Sequence, residues 1–143
     1  EKDSMMAWSD VFCTVYSTMV VETAIHDRPI ISVCIDAPGG WKKPGKFSLS
    51  LTEIGEWPTH ERFRAAKAGK VVYNEEQLTE ALNFYLAHPE ADSAERKQFV
   101  SDECTFTDGT AGIRTAEYFA AVTENARRHS EPIYNFDPLP PAD

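Results

Sequence analysis

Two short apolar runs joined by one helical segment most constrain how this chain can fold. Residues 11–15 are β-branched and aromatic, a run long enough for a buried strand and too short for a buried helix. Residues 30–35 form a second run of this kind. Between the runs, Ser17 and Thr18 precede a helical pattern that Pro29 ends, because proline cannot donate a main-chain hydrogen bond. The order strand, helix, strand predicts a β-α-β unit with parallel strands.

The bend between the first strand and the helix is the first candidate site. It is expected at the carboxyl edge of the sheet, where ligands of open α/β sheets bind. The N–H groups around Ser17, Thr18 and Met19 and the helix dipole favour an anion there, each by roughly 0.3–1 kcal/mol at an exposed site. Glu22 lies one helical turn further on and would repel a phosphate, so we expect it to bind hydroxyl groups such as a ribose diol. The alternatives are an ordinary helix cap and an exposed helix carboxylate.

This stretch resembles the C-terminal, donor-binding domain of GT-B-type glycosyltransferases. It also resembles two related groups, the non-hydrolysing UDP-N-acetylglucosamine 2-epimerases and the CDP-glycerol glycerophosphotransferases. The shared pattern is a Ser-Asp opening, an apolar strand, a turn Ser, an acidic residue five positions later and a Pro-led apolar strand, here Ser9-Asp10, residues 11–15, Ser17, Glu22 and residues 29–33. The resemblance implies that Ser17, Thr18 and Met19 hold the diphosphate of a nucleotide-activated sugar. It also implies that Glu22 holds the ribose hydroxyls.

Two later segments are similar to the same enzymes. Gly69 leads a predicted strand at residues 70–73. Asn74 is the predicted N-cap of the helix that follows, which begins with acids and ends before Pro89. Near the end of the chain, Asp108 and Gly109 precede a last helix with an early arginine, as in the glycerophosphotransferase-like enzymes. The implied fold class is α/β, a Rossmann-like parallel sheet with flanking helices that forms an incomplete GT-B C-terminal half-domain.

The length of 143 residues suits one domain with a core, or a part of a larger protein. Because the chain begins without Met and almost at its first strand, we expect a fragment. Residues 1–129 are predicted to form the nucleotide-sugar donor-binding domain, and residues 130–143 a Pro-rich extended tail. The resemblance implies a missing N-terminal acceptor domain, so the piece alone is expected to show no turnover.

Composition excludes several other kinds of function. The net charge of −9 argues against general nucleic-acid binding, which requires an excess of Lys and Arg. The sequence contains no apolar run near the ~18–20 residues of a membrane span. Three scattered cysteines without a CxxC pair favour a reducing, cytoplasmic location. The four scattered histidines and the lack of an HExxH motif predict no metal, and we expect no cofactor.

A loop rich in Pro and Gly follows the second strand at residues 37–46, on the same edge of the sheet as the bend. Its Trp41, Lys42 and Lys43 are possible contacts for an anionic ligand; the alternative is a solvated loop whose Trp41 packs on the protein body. Alternating apolar and hydroxyl residues over 47–54 predict a short, half-exposed strand or extended segment.

Several side chains are expected to pack inward. They are Met5, Met6 and Trp8 before the first strand, Cys13 and Cys34 in the two predicted strands, and Ile113, Tyr118, Phe119 and Val122 in the last helix. The arginines at positions 62 and 64 are expected to lie on a solvated helix face, and His26 near the surface at the end of the first β-α-β helix.

The function that these features favour is donor binding in a glycosyltransferase, which moves a sugar from a nucleotide diphosphate sugar to an acceptor. Helix-end N–H groups suit this reaction because they stabilise the charge that develops on the leaving diphosphate. The alternatives are a sugar-nucleotide 2-epimerase, a CDP-glycerol-type glycerophosphotransferase and a non-catalytic α/β interaction domain. A serine hydrolase is unsupported, since no Gly-x-Ser-x-Gly motif surrounds Ser17.

Overall fold

The computed structural model describes residues 1–15, 17–36 and 50–129. In chain order its elements are α1 (Lys2–Trp8), β1 (Phe12–Thr14), α2 (Met19–Ile25), β2 (Ile30–Val33), α3 (Leu51–Gly55), α4 (Pro58–Ala66), β3 (Lys70–Val72), α5 (Glu75–Ala87), α6 (Ser93–Glu103) and α7 (Ala111–His129). The chain divides into two units, Glu1–Thr105 and Phe106–Asp143. All three strands and helices α1 to α6 belong to the first unit.

The sheet of the first unit has three parallel strands in the order β1-β2-β3. Phe12 of β1 lies opposite Ile30 of β2, and its N–H donates to the carbonyl of Pro29 over 2.8 Å. Helix α2 connects the two parallel strands β1 and β2, which confirms the predicted β-α-β unit. The mixed α/β fold class with flanking helices is confirmed, and its layout is compatible with a Rossmann-like arrangement.

Apolar side chains are buried on both faces of the sheet. One cluster contains Val20, Ala24, Ile30, Phe63, Ala68, Phe99 and Val100. The other contains Ile31, Val72, Ala81 and Tyr85. Neighbouring residues of β2 enter different clusters because successive side chains of a strand point to opposite faces. Burial on both faces explains why β2 is a continuous apolar run in the sequence.

Gly69 allows α4 and β3 to approach β2 closely. A Cβ atom at this position would lie 2.4 Å from the carbonyl oxygen of Ile30 and 2.7 Å from Cζ of Phe63. Real Cβ atoms do not approach other atoms so closely. The position therefore requires glycine for close packing.

The predicted strand or extended segment over residues 47–54 is wrong in its described part, where Leu51–Gly55 forms α3. The reason is a cap from a distant residue. The carboxylate of Asp36 accepts hydrogen bonds from Ser50 Oγ at 2.5 Å and from Leu51 N at 2.7 Å. Ser50 Oγ in turn accepts from Glu53 N, so the first turn of α3 has hydrogen-bond partners that local alternation does not reveal.

Met5, Trp8 and Cys13 are predicted to pack inward, but all three are exposed. Met5 is 69% exposed and Trp8 84%, whereas Met6 is fully buried. Cys13 is also exposed, although Ile31 beside it in the register is fully buried. β1 is an edge strand of the described sheet, so a side chain there has a neighbouring strand on one side only. Cys34 is buried as expected.

In the second unit, α7 is the only helix within residues 106–129. Ile113 and Phe119, predicted to point inward, are 61% and 63% exposed, while Tyr118 and Val122 are half-buried. The described residues of this unit contain no second helix or strand against which the apolar stripe of α7 could pack. The predicted loop over residues 37–46 and the Pro-rich tail over residues 130–143 lie outside the described residues.

Candidate functional site

The bend that follows β1 brings Ser17, Thr18 and Met19 together at the carboxyl edge of the sheet, as the sequence predicts. Ser17 is half-buried and Thr18 is exposed. The side-chain oxygen of Ser17 accepts a hydrogen bond from the N–H of Met19 at 3.2 Å. Ser17 thus caps the first turn of α2, whereas Thr18, the residue directly before the helix, makes no capping bond with its side chain.

Glu22 lies one helical turn beyond this bend. Its N–H donates to the carbonyl of Thr18 over 3.3 Å, which places the two residues on the same side of α2. The carboxylate does not stand alone, because Oε2 lies 2.5 Å from Nζ of Lys2 in α1. The side chain of Glu22 is 36% exposed and that of Lys2 is 58% exposed. The sequence analysis did not identify Lys2, since no pattern connects residues so far apart.

A second polar contact holds α1 beside α2. His26 Nε2 lies 2.8 Å from Asp3 Oδ1 at the far end of α2, and His26 is half-buried. Met6, one turn further along α1, is fully buried. The position of Lys2 against Glu22 therefore follows from the packing of α1 along α2.

Asp36 follows β2 at the same edge of the sheet. It accepts hydrogen bonds from the residues that begin α3, including Thr52 N at 3.4 Å. The hydrogen bonds from the Ser50 and Thr52 side chains lower the pKa of the Asp36 carboxyl below its usual range. This carboxylate caps α3. Its hydrogen bond with Ser50 joins the two residues that flank the segment 37–49. Trp41, Lys42 and Lys43 belong to that segment, which is outside the described residues.

The end of β3 carries a polar cluster that the sequence analysis missed. Tyr73 donates from its hydroxyl to Glu56 Oε1 at 2.5 Å. Arg64 donates to the carbonyl of Gly55 and to the Glu61 carboxylate, and its Nη1 lies 3.4 Å from Glu56 Oε2. Burial, with the nearby Glu56 carboxylate, raises the pKa of the Tyr73 hydroxyl.

His60 lies behind this cluster and is fully buried. Its Nδ1 is 2.9 Å from the carbonyl oxygen of Gly55, and its ring stacks on Phe63 with centroids 5.7 Å apart. Burial lowers the pKa of His60 because it disfavours the charged imidazolium. The same Gly55 carbonyl also accepts from Arg64, so the cluster joins the end of α3 to α4. Arg62 is exposed as predicted, but Arg64 is only 22% exposed and is committed to these contacts.

The described residues also bear on metal binding and on membrane crossing. Within residues 1–15, 17–36 and 50–129, no group of three or more His, Cys, Asp or Glu side chains is arranged to hold a metal ion. None of the helices in that part of the chain combines the length and the apolar character that crossing a membrane requires. All three cysteines carry free thiols.

Comparisons with known proteins found no relative of this chain. No protein-family model matches the chain, no curated protein matches it, and no solved structure matches it.

Proposed function

We propose that this chain is the donor-binding part of a GT-B-type glycosyltransferase, which transfers a sugar from a nucleotide diphosphate sugar to an acceptor. One observation carries the proposal. A hydroxyl-bearing bend follows a strand at the carboxyl edge of a parallel sheet, and an acidic side chain lies one helical turn further along α2. This edge is where open α/β sheets bind their ligands.

Ser17, Thr18 and Met19 hold the diphosphate in this proposal. The N–H of Met19 donates to Ser17 Oγ at 3.2 Å, and in this proposal the Ser17 side chain rotates away when the donor binds, so that a phosphate oxygen accepts from that N–H instead. The Ser17 hydroxyl also has a donor proton of its own, which in this proposal points to the same phosphate. The bend thus gains two donors without a change in the path of the main chain.

Glu22 holds the ribose in this proposal. An ionised carboxylate accepts hydrogen bonds only, so it pairs with the two hydroxyls of a ribose and repels a phosphate. Its position one turn beyond Thr18 supports a role next to the diphosphate and not on it. As charge builds on the leaving diphosphate, the fixed donors of the bend stabilise it.

The remaining parts of the proposed enzyme rest on the resemblance, for the acceptor domain, and on the sequence pattern, for the loop contacts and the tail. An N-terminal acceptor domain supplies the acceptor and the base, and Trp41, Lys42 and Lys43 contact the anionic donor. Residues 1–129 form the donor-binding domain, and residues 130–143 a tail. The three free thiols support a reducing, cytoplasmic location.

The binding test uses calorimetry on the 143-residue chain with UDP, GDP and CDP. We expect at least one of them to bind and the Glu22→Gln variant to bind it about ten-fold more weakly, because a neutral amide is a poorer acceptor for two hydroxyls than a carboxylate. Glu95→Gln is the matched control, since Glu95 is an exposed first-turn acid of another helix, α6. Equal affinity of wild type and Glu22→Gln would contradict the ribose assignment, and no binding of any of the three would contradict the donor site.

The reaction test uses a longer protein that contains this chain, supplied with nucleotide sugars and an acceptor. Transfer of the sugar to the acceptor supports the proposal. Release of an epimerised nucleotide sugar identifies a 2-epimerase, transfer of glycerol phosphate from CDP-glycerol identifies a glycerophosphotransferase, and the absence of all three products indicates an interaction domain. Each of the last three results would overturn the glycosyltransferase assignment.

A further inference from the structure

The ion pair between Lys2 and Glu22 places a cation beside the proposed donor site. Lys2 Nζ lies 2.5 Å from Glu22 Oε2. The pair is partly exposed, but its partners are brought together by the packing of α1 on α2, which also includes the contact of 2.8 Å between Asp3 and His26. The position of the ammonium group therefore depends on two packed helices and not on one flexible side chain alone.

A carboxylate next to a diphosphate raises an electrostatic problem that the donor site has to solve. Glu22 lies one helical turn from the bend, and a diphosphate bound there carries at least two negative charges. Like charges separated by a few ångströms near a protein surface repel more strongly than they do in bulk water. The chain as a whole, with a net charge of −9, adds to this repulsion.

We propose that Lys2 is a positioning residue of the donor site, whose ammonium group neutralises Glu22 so that the carboxylate and the diphosphate can lie side by side. The proposal rests on the proposed donor-binding function. Lys2 contacts Oε2, and a carboxylate accepts about four hydrogen bonds. The ribose hydroxyls can therefore bind Glu22 while the ion pair persists.

This role has a signature that depends on the number of phosphates in the ligand. Replacing Lys2 by Met removes a charge and keeps an unbranched apolar stem. Because the ammonium group offsets the repulsion between Glu22 and the phosphates, its loss is expected to weaken the binding of a nucleoside diphosphate by about three- to five-fold at low salt. This is the size of effect typical of an exposed ion pair. The monophosphate loses less affinity, and the uncharged nucleoside loses none. In ~1 M salt the difference between the variants disappears, since the Debye length falls to about 3 Å.

The experiment is calorimetry at low salt with UDP, UMP and uridine, or with the corresponding guanosine or cytidine series if GDP or CDP binds wild type better. Wild type, Lys2→Met, Lys2→Arg and Lys97→Met are compared. Lys97 is the matched control, because it is 69% exposed and its Nζ lies 3.4 Å from a carboxylate, that of Asp27, at the opposite end of α2. Far-UV circular dichroism checks that each variant is folded.

The expected result is a loss of affinity in Lys2→Met that grows from uridine to UDP, with Lys2→Arg and Lys97→Met both close to wild type. In a Glu22→Gln background, the Lys2→Met change is expected to alter UDP affinity less than it does in wild type, because the lysine has then lost the carboxylate that holds its ammonium group beside the bend. A loss that is equal for uridine and UDP, or unchanged UDP affinity in Lys2→Met, would overturn the positioning role. Failure of wild type to bind any nucleoside diphosphate is a different result, which would overturn the donor site itself.

Discussion

Arg96 of α6 forms an ion pair with Asp27, which lies in the turn after α2 and 69 residues earlier in the chain, with Arg96 Nε at 2.9 Å from Asp27 Oδ1. Arg96 is fully buried, and its guanidinium also donates to the carbonyls of Ala91 and Asp27. Ser93 Oγ donates to the other oxygen of Asp27 at 2.6 Å. A buried arginine is stable only when its donors have partners, and these contacts provide them.

Replacing Arg96 by Met should therefore destabilise the first unit strongly. The change leaves the Asp27 carboxylate without its main partner, and we expect the free energy of unfolding to fall by about 2–4 kcal/mol, below the usual range for a fully buried pair because Asp27 is partly exposed. Denaturant titration followed by circular dichroism measures the loss. Lys97→Met, which removes the exposed partner of Asp27, is expected to cost at most about 1 kcal/mol. Equal losses in the two variants would contradict the role of the buried contact.

The stability of the first unit should also depend on Asp27 at acidic pH. Burial alone would raise the pKa of Asp27, but hydrogen bonds from Ser93 and Arg96 outweigh burial and lower it. A lowered pKa in the folded state means that the unfolded chain binds the proton first as the pH falls. The stabilisation is therefore fully present above the ordinary aspartate pKa of about 4 and is lost as the pH falls through the lower folded pKa.

Asp27→Asn provides the comparison for this pH dependence. Asn tolerates the positive φ of 52° at this position and keeps a side-chain oxygen as acceptor, but it does not titrate. We expect wild type to be more stable than the variant by about 1 kcal/mol at pH 6 and the difference to shrink steadily below pH 4. Urea titrations at a series of pH values give the two curves. Parallel curves down to pH 2.5 would show that Asp27 does not carry the dependence.

Two glycines should respond in opposite directions to the same substitution. Gly69→Ala places a Cβ atom 2.4 Å from a main-chain oxygen of β2, so β2 or β3 must move, and we expect a loss of about 1–3 kcal/mol. A Cβ atom at Gly112 in α7 meets nothing within 4 Å, so Gly112→Ala should favour the helix by up to about 1 kcal/mol. Thermal unfolding measures the first effect, and far-UV circular dichroism follows the helix content for the second. A neutral Gly69→Ala would show that β2 and β3 are packed less closely than described.

The parts of the fold that the sequence predicted are those that depend on neighbours in the chain. The β-α-β unit follows from two apolar runs, a hydroxyl residue before the helix and Pro29 after it, all within residues 11–35. Asn74 is a further example, since its side chain accepts from Gln77 N at 2.8 Å and caps α5 as a local pattern predicts. Such features need no knowledge of what packs above or below them.

The parts that the sequence did not predict depend on contacts between distant residues. Asp36 turns a segment with strand-like alternation into α3 by bonding to Ser50, 14 positions later. Trp8 is an apolar residue in an amphipathic helix, and whether it is buried depends on what lies next to α1. For the candidate site, the bend at Ser17 was predicted from local residues, whereas the pairing of Glu22 with Lys2 depends on how α1 packs on α2.

Ser17 makes it possible to separate helix capping from anion binding by one substitution. Aspartate is as good a cap as serine and its charge suits the helix dipole, so Ser17→Asp should keep the free energy of unfolding within about 0.5 kcal/mol of wild type. The same carboxylate occupies the place proposed for the diphosphate and repels it. We therefore expect UDP affinity to fall by more than ten-fold, whereas Ser17→Ala should lose both stability, by about 1 kcal/mol, and affinity.

Asn74→Asp is the control for the added charge. It places the same carboxylate at the cap of α5, after β3 and two strands from β1. Two strand spacings correspond to roughly 10 Å across the sheet. This distance exceeds the Debye length of about 8 Å in 0.15 M salt, so the added charge is screened from the bend. Its UDP affinity should match wild type in that salt. Calorimetry and denaturant titration on the same samples decide between the two roles of Ser17. If Ser17→Asp binds UDP as well as wild type does, the bend caps α2 and holds no phosphate, because a diphosphate could not share that position with a carboxylate.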